Sequence, residues 1–347
     1  MMEDSIIETN LGIEILRKCS EQGCFSTVYF AIEKQTLAHV VVKVIKKSDL
    51  EEEYFNEARR LYASRHPNVV EIKCASDNDD HIFLIMEKYE GSISSLLEER
   101  FLTVRECIKF ALDALSGIHH IHTKGLIHFD IKPSNLLLTN NNNKVLLSDF
   151  GLSRYVDSSG FSNAPTMYNL HLPPEAFISQ KLTSLSDIYQ MGVTLYRMVN
   201  GRKIWKENIS NVTEENFVEF IRKGKFPDRK LYLPHVPIPI RKVINKAMHI
   251  NPDSRYQSAL DFQNALSREY SNLDWSYELK GDIQKWIRPV NGGLEVLEIE
   301  QKNQNTFESE HYKINSNSGV KRKKRNGCQK NINISDINEF CTKILSE

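Results

Sequence analysis

Two short motifs constrain this chain more than any other feature. The first is His128-Phe129-Asp130-Ile131-Lys132-Pro133-Ser134-Asn135, and the second, a short distance on, is Asp149-Phe150-Gly151. Between them the polar turn Thr139-Asn140-Asn141-Asn142-Asn143 separates two short apolar strands, Leu136 to Leu138 and Val145 to Leu147. The residue types point to phosphoryl transfer. That chemistry needs a carboxylate beside the attacking hydroxyl, a second carboxylate and an amide oxygen on a divalent cation, and a cation on the phosphates, because catalysis is mostly positioning and charge stabilisation. Asp130 fits the first role. Asp149 and Asn135 fit Mg²⁺ ligation through oxygen, the atom a hard cation prefers. Lys132, two residues past Asp130, reaches the transferred phosphoryl group or the developing charge. A lone Asp-Phe-Gly is commonly a plain turn, so the weight lies in the order and spacing of its neighbours.

Upstream parts arrive in a compatible order. Val40-Val41-Val42-Lys43-Val44-Ile45 reads as a buried β-branched strand carrying one cation, and that lysine needs a partner. The segment from Glu51 to Arg65 has helical spacing, with Glu57 one turn before Leu61 and His66-Pro67-Asn68 as its stop, so Glu57 is the natural partner. Taken singly, Lys43 reads better as a snorkelling strand residue and Glu57 as part of a solvated face; together, ahead of the catalytic motifs, they favour function.

With these parts in place the chain resembles the eukaryotic-type Ser/Thr protein kinase family over about residues 12 to 268. The resemblance implies an α+β, two-lobed fold, with a small β-rich lobe at about 12–87, a hinge at about 87–91 and a larger helical lobe at about 92–268. It implies ATP and Mg²⁺ as cofactors and proteins as substrates. It makes Met86 the gatekeeper and Glu87, Lys88 and Tyr89 the hinge, with Val28, Val41 and Leu137 around the adenine and Gly23 in the phosphate loop. Pro173-Pro174-Glu175 is similar to the family's Ala-Pro-Glu, with Arg255 as its ion-pair partner, and Asp187 matches the helical aspartate that caps the catalytic loop. Lys132-Pro133 resembles the Ser/Thr branch, and the wording from Ser186 to Gly201 resembles bacterial members.

The chain also departs from the family pattern. Glu21-Gln22-Gly23-Cys24-Phe25-Ser26 keeps only the middle glycine of the phosphate loop, which predicts weaker ATP binding than in a glycine-complete relative. Phe129 replaces the arginine that usually precedes the catalytic aspartate and binds a loop phosphate, which predicts activity without loop phosphorylation. Arg154 matches a second basic position of the same pocket and leaves that question partly open. Tyr168 falls where a Ser/Thr kinase has threonine, and Thr166 is two residues early, which loosens the acceptor assignment. Ser158, Ser159, Ser162, Thr166 and Tyr168 are candidate autophosphorylation sites, and equally an ordinary exposed loop. Ser134, where a glutamate often stands in kinases with basic substrates, gives no support for a basic-peptide preference.

At 347 residues with 40% apolar content, the chain has enough material for two lobes and an appendage. Lys+Arg and Asp+Glu both number 45, so there is no global pull toward nucleic acid or anionic membrane. Six cysteines without Cys-x-x-Cys spacing fit reduced thiols, and the acidic N-terminus without an apolar core gives no signal peptide; the expectation is a soluble cytoplasmic protein. Strands are expected at Gly12 to Leu16, Thr27 to Ile32, Val40 to Ile45, Val69 to Cys74 and His81 to Met86. Helices follow at Ile93 to Glu99, Val104 to Lys124, Ser184 to Val199, Phe217 to Arg222, Ile238 to His249 and Ser258 to Tyr270.

Residues 269–347 read as a small α+β accessory domain. Trp275, Tyr277 and Trp286 mark its core, an Asn-Gly-Gly turn begins at Asn291, and a final helix runs from about Ser335 to Leu345. Its basic run Lys321-Arg322-Lys323-Lys324-Arg325 is either a solvated strand or hairpin, or a nucleic-acid or nuclear-targeting patch. Three functions stand at this stage: an active Ser/Thr protein kinase, a pseudokinase or scaffold acting through the appendage, and a small-molecule kinase. The intact carboxylates favour the first.

Overall fold

The computed structural model describes residues 12–20, 26–49, 65–139, 141, 143–163, 165, 169–179 and 181–347. Five antiparallel strands form the N-terminal sheet: β1 (Ile13–Ser20), β2 (Ser26–Glu33), β3 (Ala38–Lys46), β4 (Ile72–Asp77) and β5 (His81–Glu87), ordered β1-β2-β3-β5-β4. The central β3 alternates its side chains between two faces. Val40 and Val42 pack with Ala31 and Ile85 on one face, which leaves Val41 and Lys43 on the other. Register completes that second face: Val28, Lys43 and Leu84 lie side by side, as do Phe30, Val41 and Met86.

β4 begins three residues later than the sequence predicts, because Val69 and Val70 are engaged elsewhere. Val69 forms a parallel bridge with Leu147, and the Val70 amide donates to the Leu147 carbonyl at 2.9 Å. The Leu147 amide donates in turn to the Asn68 carbonyl at 2.9 Å, and Asn68 Nδ2 to the Val145 carbonyl at 3.0 Å. The apolar run thus divides between a seam to the larger lobe and the sheet strand.

The larger lobe opens with β6 (Gly91–Ser92), α1 (Ile93–Glu99) and α2 (Val104–Thr123). A reciprocal capping box between Thr103 and Glu106 starts α2, and its apolar face, from Val104 through Ile121, is buried. β7 (Leu126–Ile127), β8 (Leu136–Leu138), β9 (Val145–Leu147), β10 (Arg154–Tyr155), β11 (Ser162–Asn163) and β12 (Lys181–Leu182) are short. They are followed by α3 (Leu185–Ser210), α4 (Glu214–Arg222), α5 (Ile238–Ala247) and α6 (Ala259–Leu266). The periodicity predicts a helix that ends at Val199. Instead the helix kinks at Gly201 (φ 62°, ψ −170°) and resumes, burying Ile204 and Trp205. A side chain at Gly201 would strike the Phe101 ring, 2.5 Å from the Cβ position.

The C-terminal segment adds a six-stranded sheet: β13 (Ser276–Lys280), β14 (Ile283–Val290), β15 (Gly293–Gln301), β16 (Thr306–Asn315), β17 (Lys321–Lys323) and β18 (Gln329–Asn333). The order is β13-β14-β15-β16-β17, with β18 also paired to β16. Asn291-Gly292 is the two-residue turn of the β14–β15 hairpin, and Gly292 takes the positive φ of 75° such a turn asks for. A closing helix, α7 (Ile337–Ser346), starts two residues later than predicted. Ser335 does not cap it; its hydroxyl bonds the Asp336 carboxylate at 2.6 Å, and Asp336 holds the cap position without a side-chain cap bond.

This sheet shares one continuous core with the larger lobe. Trp275 and Trp286 are fully buried. Trp275 Nε1 donates to the Leu345 carbonyl and Trp286 Nε1 to His235 Nδ1, both at 3.0 Å. Tyr277 meets Phe101 edge-on at 4.6 Å. The basic run is an exposed edge strand at Lys321–Lys323, but Lys324 leaves it to pair with Glu295.

Glu295 is 2% exposed, and it also accepts from Arg288 at 2.8 Å and from His311 Nε2 at 2.9 Å. Burial alone would raise its pKa; the hydrogen bonds from Lys324 and Arg288 outweigh burial and hold it down at about 2. Because the folded value is depressed, this contribution to stability is complete above the ordinary glutamate value of 4.5 and is lost as pH falls toward 2. The melting-temperature gap between wild type and Glu295→Gln should therefore be widest near neutrality and narrow below about pH 4.5. A gap that stays constant across that range would contradict the assignment.

Candidate active site

The loop between β7 and β8 is built around Asp187 at the start of α3. Its buried carboxylate accepts the backbone amides of His128 at 2.8 Å and Phe129 at 2.9 Å, and it pairs with His122 Nε2 at 2.7 Å. One turn on, Gln190 accepts from the Ile131 amide at 3.0 Å and donates to the Phe129 carbonyl at 2.8 Å. These contacts hold Phe129 at φ 65°, a conformation that a bulky residue adopts only when its surroundings impose it. The Phe129 ring is fully buried with Ile127 and Leu182, against Leu152, Val156, Leu172 and Ala176.

That scaffold presents Asp130, which is 6% exposed. Its Oδ2 accepts from Lys132 Nζ and Asn135 Nδ2, each at 2.8 Å. Asn135 also donates to the Asp130 carbonyl at 2.8 Å, so its amide nitrogen is committed to Asp130. Asp130 Oδ1 is sealed from water and meets no donor among the described residues. A buried acceptor left in that state carries a desolvation cost, which an incoming hydroxyl proton would relieve.

Asp149 lies across from it, also in the left-handed region at φ 63°, and accepts the Gly151 amide at 3.4 Å. Lys43 Nζ, on a side chain only 8% exposed, bonds Asp149 Oδ1 at 2.5 Å. Burial opposes the charge on Asp149, but the Lys43 ammonium outweighs it and keeps the carboxyl below its ordinary range. His128, buried beside it, has its pKa lowered chiefly by burial, against the pull of Asp187, Asp130 and Asp149. Its ring meets Phe150 edge-on at 4.9 Å.

Between the N-terminal sheet and this loop lies a cleft of about 730 Å³. Val28, Val41, Lys43, Met86, Glu87, Tyr89, Leu137, Asn135 and Asp149 all line it, which brings together the cofactor-binding residues that the sequence assigns and the structure describes. Leu137 reaches the cleft because β8 pairs with β6 on one side and β9 on the other, burying Leu136 and Leu138 on the opposite face. Burial, with the Glu87 carboxylate nearby, pushes the Tyr89 phenol up to about 12, so it stays neutral. Asp130 and Lys132 stand outside the cleft lining, beside Asn135. Gly23, Glu57, Thr166 and Tyr168 lie outside the described residues, as do the predicted Glu51-to-Arg65 helix up to residue 64 and the phosphate loop.

Sequence reasoning missed Phe30, Leu84 and Leu146 in the cleft wall. Strand alternation could have found Phe30, which lies two residues from Val28 on the same face. Arg17 and Lys88 flank its ring at 4.9 and 5.3 Å. The Glu175–Arg255 pair forms as expected: Arg255, 2% exposed, donates bidentately at 2.7 and 2.6 Å. It also binds the Leu185, His249 and Ile250 carbonyls. Every strong donor of that buried guanidinium is thereby matched.

Comparison with known proteins agrees with this geometry. The family model described as "Protein kinase domain" matches residues 21–271. Serine/threonine-protein kinase D2 from Homo sapiens is 26% identical over 270 residues, which is 75% of this chain and 30% of the relative. Calcium/calmodulin-dependent protein kinase type 1 from Macrobrachium nipponense is 28% identical over 286 residues, 78% of this chain and 81% of the relative. Serine/threonine-protein kinase cds1 from Schizosaccharomyces pombe is 27% identical over 271 residues, 73% of this chain and 58% of the relative. The aligned region thus spans less than a third of the first of these and most of the second. A family model covering most of the chain, over a cleft that joins Lys43 to Asp149 and an Asp187-capped loop carrying Asp130, places the chain in the protein kinase family, on its eukaryotic-type Ser/Thr branch.

Proposed function

We propose that the chain transfers the γ-phosphoryl group of MgATP to serine and threonine hydroxyls of proteins, its own loops included. The observation that carries this reading is Asp130, with Oδ2 clamped by Lys132 and Asn135 while the buried Oδ1 accepts from none of the described residues. The residues fit the cofactor. Val28, Val41, Leu137 and Met86 supply apolar walls for a planar base, Lys43 a cation for phosphate, and the Asp149 carboxylate and Asn135 amide oxygen a hard donor set for Mg²⁺. When bound, MgATP supplies the phosphoryl group and the charge neutralisation it needs.

The chain's own residues do the rest. Asp130 Oδ1 accepts the acceptor hydroxyl's proton, or orients the hydroxyl through it. Lys132 and Asn135 fix the carboxylate's rotamer by holding Oδ2, which leaves Oδ1 as the acceptor for a hydroxyl that displaces its cover. Lys132 then stands beside the charge that develops. A scaffold that only bound nucleotide would have no use for a buried carboxylate in this state, which disfavours the pseudokinase reading. The test is transfer of labelled γ-phosphate to the protein itself and to a generic protein substrate, with Asp149→Ala as control. Label on serine or threonine that disappears in the control supports the proposal; intact nucleotide binding without label would favour the scaffold.

Activity is expected without loop phosphate. Phe129 occupies the place of the phosphate-binding arginine and fills an apolar cluster that includes Leu182 of β12. β12 pairs with β11, and Lys181 reaches Asp157 at 3.3 Å, so packing and pairing hold this part of the segment. Phosphatase-treated protein should keep most of its turnover in a steady-state assay. Loss of most turnover, restored by preincubation with MgATP, would contradict this.

A further inference from the structure

Ile131 follows Asp130 directly, and its peptide groups are held from two directions. From α3, Gln190 accepts its amide at 3.0 Å and Thr194 Oγ1 donates to its carbonyl at 3.2 Å, one turn apart on the same helical face. From the other side, His171 Nδ1 bonds the same carbonyl at 2.9 Å. His171 ends the short turn Asn169–His171 that leads into Pro173-Pro174-Glu175. On this basis, and resting on the kinase reading above, we propose that His171 is a positioning residue for phosphoryl transfer, coupling the segment ahead of Glu175 to the backbone that carries Asp130.

The protonation pattern follows from the partners. A carbonyl oxygen only accepts, so Nδ1 carries the hydrogen. Arg197 Nη1, which can only donate, stands 3.0 Å from Nε2, so that nitrogen presents its lone pair. His171 is therefore a neutral imidazole in one tautomer. Burial, reinforced by the Arg197 charge, lowers its pKa well below the ordinary histidine range, so this state does not change across the working pH. Trp205 completes the arrangement: the Arg197 guanidinium lies 4.5 Å above its indole, and the His171 ring meets it edge-on at 6.0 Å. The relay Trp205, Arg197, His171, Ile131 spans from α3 to the catalytic loop, and a displacement of the 169–172 segment is transmitted to the peptide next to Asp130.

Asparagine can place its Nδ2 near the position of the imidazole Nδ1 and donate to the Ile131 carbonyl, whereas leucine fills the space without a donor. The experiment compares wild type, His171→Leu and His171→Asn by labelled γ-phosphate transfer to a generic protein substrate, alongside thermal melting. The expected result is a kcat lowered about tenfold or more in His171→Leu, since small displacements at a reacting group are costly, with KM for ATP unchanged and most of kcat restored in His171→Asn. ¹⁵N-resolved imidazole spectra of the wild type should show the Nδ1–H tautomer. An active wild type with an equally active His171→Leu overturns this inference alone, as does an Nε2–H tautomer. A wild type that transfers no label overturns the kinase reading and this inference with it.

Discussion

Asp130→Asn is expected to lower kcat for γ-phosphoryl transfer by on the order of 10³-fold, within the range that a positioned general base contributes. The substitution is nearly isosteric, and it can still accept from Lys132 and Asn135 through its amide oxygen, so the loop geometry should survive. What it loses is the second carboxylate oxygen, which is buried and accepts from none of the described residues. Nucleotide affinity should be retained, because Asp130 lies outside the cleft lining. Asp149→Ala should behave differently. It removes the partner of Lys43 inside the cleft, so Mg²⁺-dependent nucleotide binding should fall together with turnover. Steady-state kinetics paired with titration of a fluorescent nucleotide separates the two patterns. A loss below tenfold in Asp130→Asn, or identical binding defects in both variants, would count against these assignments.

Trp286→Ala is expected to cost about 3–5 kcal/mol, the range for deleting a large buried aromatic, and to lower the melting temperature on the order of 10 °C for a chain of this size. The indole is fully buried, lies 5.0 Å from Tyr277, and donates to His235 Nδ1. His235 is itself buried in the larger lobe; burial, aided by the Arg241 charge, lowers its pKa to about 3, so it stays neutral and presents the lone pair the indole needs. Removing residues 269–347 altogether should be more severe, because it uncovers Phe101, His235 and the flank of α2, where Arg105 pairs with Asp274 and its amide bonds the Leu273 carbonyl at 3.1 Å. We propose that the accessory segment and the larger lobe fold as one unit. Soluble, fully active protein from residues 1–268, with an unchanged melting temperature, would contradict that. The two predictions are independent, since the first concerns chemistry at an intact loop and the second the integrity of the core.

The motif residues were legible because their chemistry fixes their spacing. Asp130, Asn135 and Asp149 had to be a carboxylate, an amide and a carboxylate on loops between apolar strands, and the strands Leu136–Leu138 and Val145–Leu147 formed with the predicted bounds. The Glu175–Arg255 pair and the Asp187 cap were found through the family resemblance, and the geometry shows both. Boundaries were less legible where a local signal was overridden by packing. The periodic pattern ends at Val199, yet burial of Ile204 and Trp205 carries the helix onward past the kink at Gly201. Val69 and Val70 read as part of a sheet strand, yet their backbone groups find partners at Leu147.

By itself the sequence determined the presence of five N-terminal strands, the lysine on β3, the catalytic loop and the aromatic content of the C-terminal segment. Each of these rests on local periodicity or on residue types that one chemistry demands. The tertiary structure alone decided that Phe129 would pack beneath β12, that His171 would reach the Ile131 carbonyl, that Lys324 would leave an exposed basic run for Glu295, and that Trp286 would seek His235. Those outcomes join residues 29 to 53 positions apart. Partners at such separations leave no periodic signature, because which buried donor meets which buried acceptor is settled only once the elements have packed.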